Sequence, residues 1–132
     1  MTERNVEIMD IIVSKMAEGM KISEALKSVY IRRNVFIPYS DRDFDVSVMS
    51  LGMSTRTSNA LMRAKLKTIG DVVGFCNKHR ITEILNLGRN SGIELFETIL
   101  NHSWAHMNDD ERLLFLVDTV ERNQNYIREE IA

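Results

Sequence analysis

Proline is nearly absent from this 132-residue chain, glycine is sparse and cysteine occurs once. One Pro and six Gly do not supply the turns of an all-β sandwich, nor do they compose a disordered tail. The single thiol, Cys76, excludes an internal disulfide. It lies in an apolar helical stretch, where a buried structural thiol is expected rather than a reactive one. No apolar run approaches the roughly 20 residues that cross a bilayer, and no charged-then-apolar leader opens the chain. A cytoplasmic protein with no membrane partner is therefore expected. Catalytic signatures are missing as well. There is no Gly-x-Ser-x-Gly and no phosphate-binding P-loop. His79, His102 and His106 lack Cys or carboxylate companions at ligand spacing. The expectation is a non-enzymatic protein with no metal and no other cofactor.

What is present is ordinary in amount and uneven in placement. Apolar residues make up 44% and charged residues 27%, enough for one core and a wet surface. The formal net charge is only −2. Residues 46–103, however, carry +3, while residues 104–132 carry −4 and residues 1–45 carry −1. A modestly basic middle between acidic flanks is the kind of local footprint that attracts an anionic partner.

Apolar spacing predicts an all-α fold. A first helix is expected over residues 6–18, with Asn5 as its cap, Gly19 as its stop, and Val6, Met9, Ile12, Val13 and Met16 inward. A second is expected over 22–33, with Ile22, Ala25, Leu26 and Val29 inward. Pro38 and Tyr39-Ser40-Asp41 point to an extended connection over 34–44. Short helices should follow over 55–66 (capped by Ser54), over 69–78 (boxed by Thr68 and Asp71), and over 81–85. After a tight Asn86-Leu87-Gly88 hairpin, a helix from Arg89 to Leu100 should turn Ile93, Phe96 and Leu100 inward. Trp104 is then expected between helices, as a core anchor. A last helix should start at Asn108, boxed by Glu111, and run to about Glu130. Its expected apolar face is Leu113, Leu114, Leu116, Val117 and Val120. Glu94 and Glu97 read as a solvated face. Eight Met residues read first as core filling. Glu18 to Asn34 carries a faint helix-turn-helix spacing, but Tyr30 occupies the turn and Pro38 cuts the second helix short. A helix pair that packs on the domain or on a partner is the better expectation.

Three strings carry the chemistry: Ser54-Thr55-Arg56-Thr57-Ser58-Asn59-Ala60-Leu61, Thr68-Ile69-Gly70-Asp71, and Asn86-Leu87-Gly88-Arg89-Asn90-Ser91. Each opens a helix, and helix starts leave amide N–H groups that attract anions. Arg56, Asn59 and Arg63 fall on one helical face at spacings of three and four. A guanidinium and an amide one turn apart suit a phosphate backbone or a narrow minor groove. Gly88 allows close backbone approach, and the amides after it with Ser91 could hold another phosphate. Taken singly, Ser54, Thr68 and Ser91 are most simply helix caps.

From about Asp45 to Leu100 these residues resemble the C-terminal domain of the bacterial RNA polymerase alpha subunit. The resemblance rests on Ser54, Arg56, Asn59 and Leu61, then Ile69-Gly70-Asp71-Val72, then Asn86, Leu87, Gly88, Ser91 and Glu94. It implies a compact bundle of short helices with a helix-hairpin-helix-like core, here with added helices at both ends. The implied division is an N-terminal extension over 1–44, a DNA-binding core over 45–103 and a C-terminal helix over 104–132. The resemblance further implies binding to the minor groove of A·T-rich double-stranded DNA, contact with RNA polymerase or transcription regulators, and association with the nucleoid. On this pattern Arg56 enters the minor groove and Asn59 contacts backbone or base edge beside it. Gly88 and Ser91 meet phosphate, Glu94 orients the site, and Met53 flanks it at an apolar position. Asn90 stands where the family commonly has Lys, which removes a charge that adjacent Arg89 can replace. The alpha subunit's large assembly domain has no counterpart here, so a free-standing domain is expected. Two alternatives stay open. One is a protein-interaction module that keeps the fold, with self-association among its options. The other is a helix-hairpin-helix accessory of recombination or a mobile element.

Overall fold

A computed structural model of the protein describes residues 1–33, 35, 41–84 and 87–131. Among these the backbone is helical, with two isolated antiparallel bridges and no strand. The described residues form six α-helices: α1 (Glu3–Ala17), α2 (Ile22–Val29), α3 (Thr55–Arg63), α4 (Ile69–Cys76), α5 (Gly88–His106) and α6 (Asp109–Arg122). The fold is thus all-α. It divides into two compact units, one of residues 1–38 with 104–132 and one of residues 39–103.

In the first unit α1 packs against α2 and α6. Thr2, not Asn5, caps α1 by accepting the Asn5 amide. Asn5 itself is buried inside the helix beside Ile8 and Ile12. Val6 and Val13 are exposed, so the inward face differs from the one expected. The helix carries two apolar stripes. The one built on stiff isoleucines fills the core, while Met9 and Met16 of the other are half-buried and its valines are left outside. In α2, Ile22, Ala25, Leu26 and Val29 are all buried as expected. The helix ends at Val29 instead of continuing to residue 33. Tyr30 turns extended, is fully buried, and pairs with Ile127. Ile31 N–H donates to the Tyr126 carbonyl at 2.8 Å and Arg128 N–H to the Val29 carbonyl at 2.9 Å. This tertiary pairing draws Tyr30 and Ile31 out of helical conformation.

Asn108 and Glu111 form the expected capping box on α6, but the helix stops at Arg122. The buried set is Phe115, Leu116, Thr119 and Val120, whereas Leu113 and Leu114 are exposed. Five consecutive apolar residues, Leu113 to Val117, wrap the whole circumference of a helix, so sequence alone does not choose the face. Trp104 lies within α5, not between helices. Its ring meets Phe115 edge-on at 5.8 Å, and the Arg112 guanidinium sits 4.9 Å from its centre.

The second unit buries Val48, Ala60, Leu61, Leu66, Ile69, Val72, Ile84, Leu87, Leu95, Ile99 and Leu100. Ser54 caps α3 by accepting the Thr57 amide. The helix ends at Arg63 because Lys65 turns left-handed at φ 61° and Leu66 N–H closes back on the Leu61 carbonyl at 2.9 Å. Thr68 and Asp71 box α4, which is shorter than expected. Backbone bonds to the Lys67 and Thr68 amides hold the exposed Asp71 carboxyl below its ordinary value. Residues 44–48 run beside 67–70, with Val48 N–H on the Lys67 carbonyl, Ile69 N–H on Val46 and Gly70 N–H on Phe44. A Cβ at Gly70 would stand 2.7 Å from the Phe44 ring and 2.9 Å from its carbonyl oxygen. The Ile-Gly-Asp string is therefore a packing device. Cys76 is exposed, contrary to expectation, at the open end of α4. Partial desolvation still raises its thiol pKa, so it is no activated nucleophile. The short helix expected over 81–85 is a single 3-10 turn at Ile81–Glu83. Leu85, Asn86 and, of the expected connection over 34–44, residues 34 and 36–40 lie outside the described residues. In α5 the buried positions are Ser91, Gly92, Leu95, Ile99, Leu100 and Ser103, so Ile93 faces out rather than in.

Candidate nucleic-acid interface

The N-terminal ends of α3 and α5 meet in the second unit. Gly88 opens α5 at φ +74°, a left-handed conformation that strains an L side chain. The Arg56 guanidinium reaches across, with its Nη2 atom 3.9 Å from where a Cβ on Gly88 would stand. Arg56, Asn59, Arg63 and Gly88 line one open cleft of about 420 Å³. Two guanidiniums, one side-chain amide and a bare backbone corner face the same volume. Leu87 precedes Gly88 and has no side-chain acceptor to cap α5, so its first amides add to the positive potential.

A carboxylate from α5 holds the first helix in place. Glu94 accepts from Ser54 N–H at 3.1 Å, from Ser54 Oγ at 2.8 Å and from the Thr57 hydroxyl. Hydrogen bonds from Thr57 and then Ser54 outweigh desolvation and hold this carboxyl below its ordinary value. Glu94 is thus half-buried and engaged, not part of a solvated pair with Glu97. The consequence for anion binding is direct. The start of α3 already carries the protein's own negative charge, which opposes a phosphate there. At the start of α4, Asp71 takes the Lys67 and Thr68 amides, and the carbonyls of Val46 and Phe44 take those of Ile69 and Gly70. Of the three helix starts, that of α5 is the one that joins the arginines.

Among the residues singled out from sequence, the cleft gathers Arg56, Asn59 and Gly88. Arg89 and Asn90 are exposed in the first turn of α5. Ser91 is only 8% exposed. Met53 is half-buried just before the Ser54 cap. Arg63 joins the cleft although the family motif stops short of it. The spacing of Arg56, Asn59 and Arg63 is the signal that places it there.

The fold and cleft define a small all-helical domain with a cationic corner where two helix ends converge. Residues 38–101 match the family formed by the C-terminal domain of the bacterial RNA polymerase alpha chain, so the middle of this protein is similar to a domain of that kind. Curated relatives agree. The DNA-directed RNA polymerase subunit alpha of Trieres chinensis is 35% identical over 57 residues, covering 43% of this chain and 18% of that protein. The subunit of Thalassiosira pseudonana is 36% identical over 56 residues, covering 42% and 18%. That of Tropheryma whipplei (strain Twist) is 33% identical over 69 residues, covering 51% and 21%. The chain therefore spans about a fifth of the length of these relatives. No solved structure matches it.

Proposed function

We propose that residues 45–103 form a non-enzymatic DNA-binding domain that acts in bacterial transcription. The observation that carries this reading is the convergence of Arg56, Asn59, Arg63 and Gly88 on one cleft. Arg56 enters the minor groove of A·T-rich duplex, where a narrow groove concentrates negative potential. Asn59 contacts backbone or base edge beside it. Arg63 and the first amides of α5 neutralise flanking phosphates. Arg89 stands beside this turn and supplies cationic charge where Asn90 has none, while Ser91 and Met53 shape the floor and rim. Glu94 acts at one remove: it fixes the angle at which α3 presents Arg56. A cytoplasmic, nucleoid-associated protein follows from this reading.

The test is a titration of A·T-rich and G·C-rich duplexes across a salt series, with wild type beside Arg56→Ala and Arg63→Ala. The wild type should prefer A·T-rich duplex, with a salt slope of about −2 to −3 for two or three phosphates. Arg56→Ala should lose about tenfold or more in affinity with its helicity unchanged, since the side chain is exposed. Arg63→Ala should weaken both duplexes alike and reduce the slope by about 1. Equal affinity of wild type and Arg56→Ala would refute the proposal.

A further inference from the structure

The first unit carries an exposed stripe that the DNA reading does not use. On α6, Leu113 is 52% and Leu114 70% exposed, two adjacent large apolar side chains on the outside of a helix whose opposite side is core. The three- and four-residue spacing of Asp110, Leu113, Leu114, Val117 and Glu121 puts them on one face. Val117 is half-buried, while Asp110 and Glu121 are exposed at the two ends of the apolar centre. Asp118 borders the same face and is 2.8 Å from Arg122. The nearby Arg112 is turned away, with its Nε donating to the Trp104 carbonyl at 3.1 Å. The face is therefore apolar at its middle and negative at both ends.

That pattern selects the occupant. Nucleic acid and an anionic membrane are repelled by Asp110 and Glu121. A second copy packed symmetrically would bring the same carboxylates together. We propose that this face of α6 docks an amphipathic helix of a partner protein, with apolar residues on Leu113, Leu114 and Val117 and Lys or Arg residues at its flanks. The 14 residues of α6 span about 21 Å. A contact of that length makes a small interface of micromolar order, suited to a transient partner.

Two synthetic helical peptides serve as probes, one of Leu and Lys and one of Leu and Glu in the same amphipathic pattern. Each is titrated into the full-length protein while backbone amide shifts are followed by NMR. The Leu/Lys peptide should shift amides from Asp110 to Glu121, and the Leu/Glu peptide should not. Leu114→Asp should weaken that binding about tenfold and leave the helicity unchanged. Asp110→Lys combined with Glu121→Lys should reverse the preference toward the Leu/Glu peptide. Absence of α6 shifts, equal binding by Leu114→Asp, or no reversal on charge exchange would overturn the proposal. Concentration-dependent dimerisation that Leu114→Asp abolishes would overturn it in favour of a second copy.

Discussion

Replacing Glu94 with alanine removes the carboxylate that ties α5 to the start of α3, and the cost can be worked from its three bonds. Thr57 is fully buried, and its hydroxyl proton goes to Glu94. Without that acceptor a buried donor is left unsatisfied, at about 1–3 kcal/mol. The two bonds from Ser54 are exposed and are worth about 0.5 kcal/mol each. The total is about 2–4 kcal/mol, a large part of the ~5–15 kcal/mol that holds a domain folded. The only Trp, Trp104, belongs to the other unit, so its fluorescence is the wrong reporter. Urea unfolding followed by far-UV circular dichroism, with amide exchange in α3, reads the right region. Thr57→Val keeps the shape and deletes the donor. In a double-mutant cycle with Glu94→Ala the coupling should be about 1 kcal/mol or more. The pH dependence has a definite sign. Glu94 has an ordinary value of 4.5 and is lowered in the fold. Between the two values the unfolded state binds more protons. The contribution is therefore fully present above the ordinary value and is lost as pH falls through the folded one. Glu94→Gln should flatten that acid limb. A loss under about 0.5 kcal/mol, or additive single mutants, would refute this account of how α3 is positioned.

Two further substitutions test the packing of each unit. Gly70→Ala forces a methyl group to within 2.9 Å of the Phe44 carbonyl, so the second unit should lose about 2 kcal/mol or more by urea titration while Trp104 fluorescence stays native. A neutral Gly70→Ala would show that residues 44–48 are free to move away. Tyr30 is fully buried and its hydroxyl has no hydrogen-bond partner among the described residues, so Tyr30→Phe should be neutral or stabilising by about 1 kcal/mol in thermal unfolding. Burial also raises its pKa from 10.0 to about 12, so its neutral form supports the fold below pH 10 and that support is lost as pH rises through about 12. Tyr30→Phe should remove that alkaline limb, and a loss above ~1 kcal/mol would reveal a hydrogen bond on the hydroxyl.

The helix starts were legible because caps are local. Ser54, Thr68 with Asp71, and Asn108 with Glu111 sit where short-range rules put them. The inward faces were less legible where apolar residues surround a helix. In α1 two stripes compete, and in α6 five apolar residues wrap around it, so packing against neighbours decides. The end of α2 was hidden because Tyr30 is claimed by Ile127, almost a hundred residues away in sequence. Partnerships of that kind also explain His102. Its Nε2 atom lies 3.3 Å from Asp43, a carboxylate that no spacing rule would assign to it. The cleft was half legible. Arg56, Asn59 and Arg63 follow from helical spacing, but their meeting with Gly88 depends on how α3 packs on α5.

The same geometry changes what the helix starts mean for function. Three starts in one stretch look from sequence like three anion seats. The structure divides them by what each capping residue carries. A carboxylate sits at the start of α3 and another at the start of α4, and each lowers the positive potential that would draw a phosphate. At α5, Leu87 and Gly88 bring no charge, and the guanidinium of Arg56 leans over the gap. Positive potential is thereby focused at one corner instead of spread over three. A focused corner favours a narrow, strongly negative target, which a minor groove provides and a single dispersed phosphate does not. Under the proposed DNA-binding role, the two acidic caps would serve specificity as well as stability. Glu94 holds the arginine-bearing helix still, and on that reading both carboxylates would disfavour a nucleic-acid backbone settling in the wrong register.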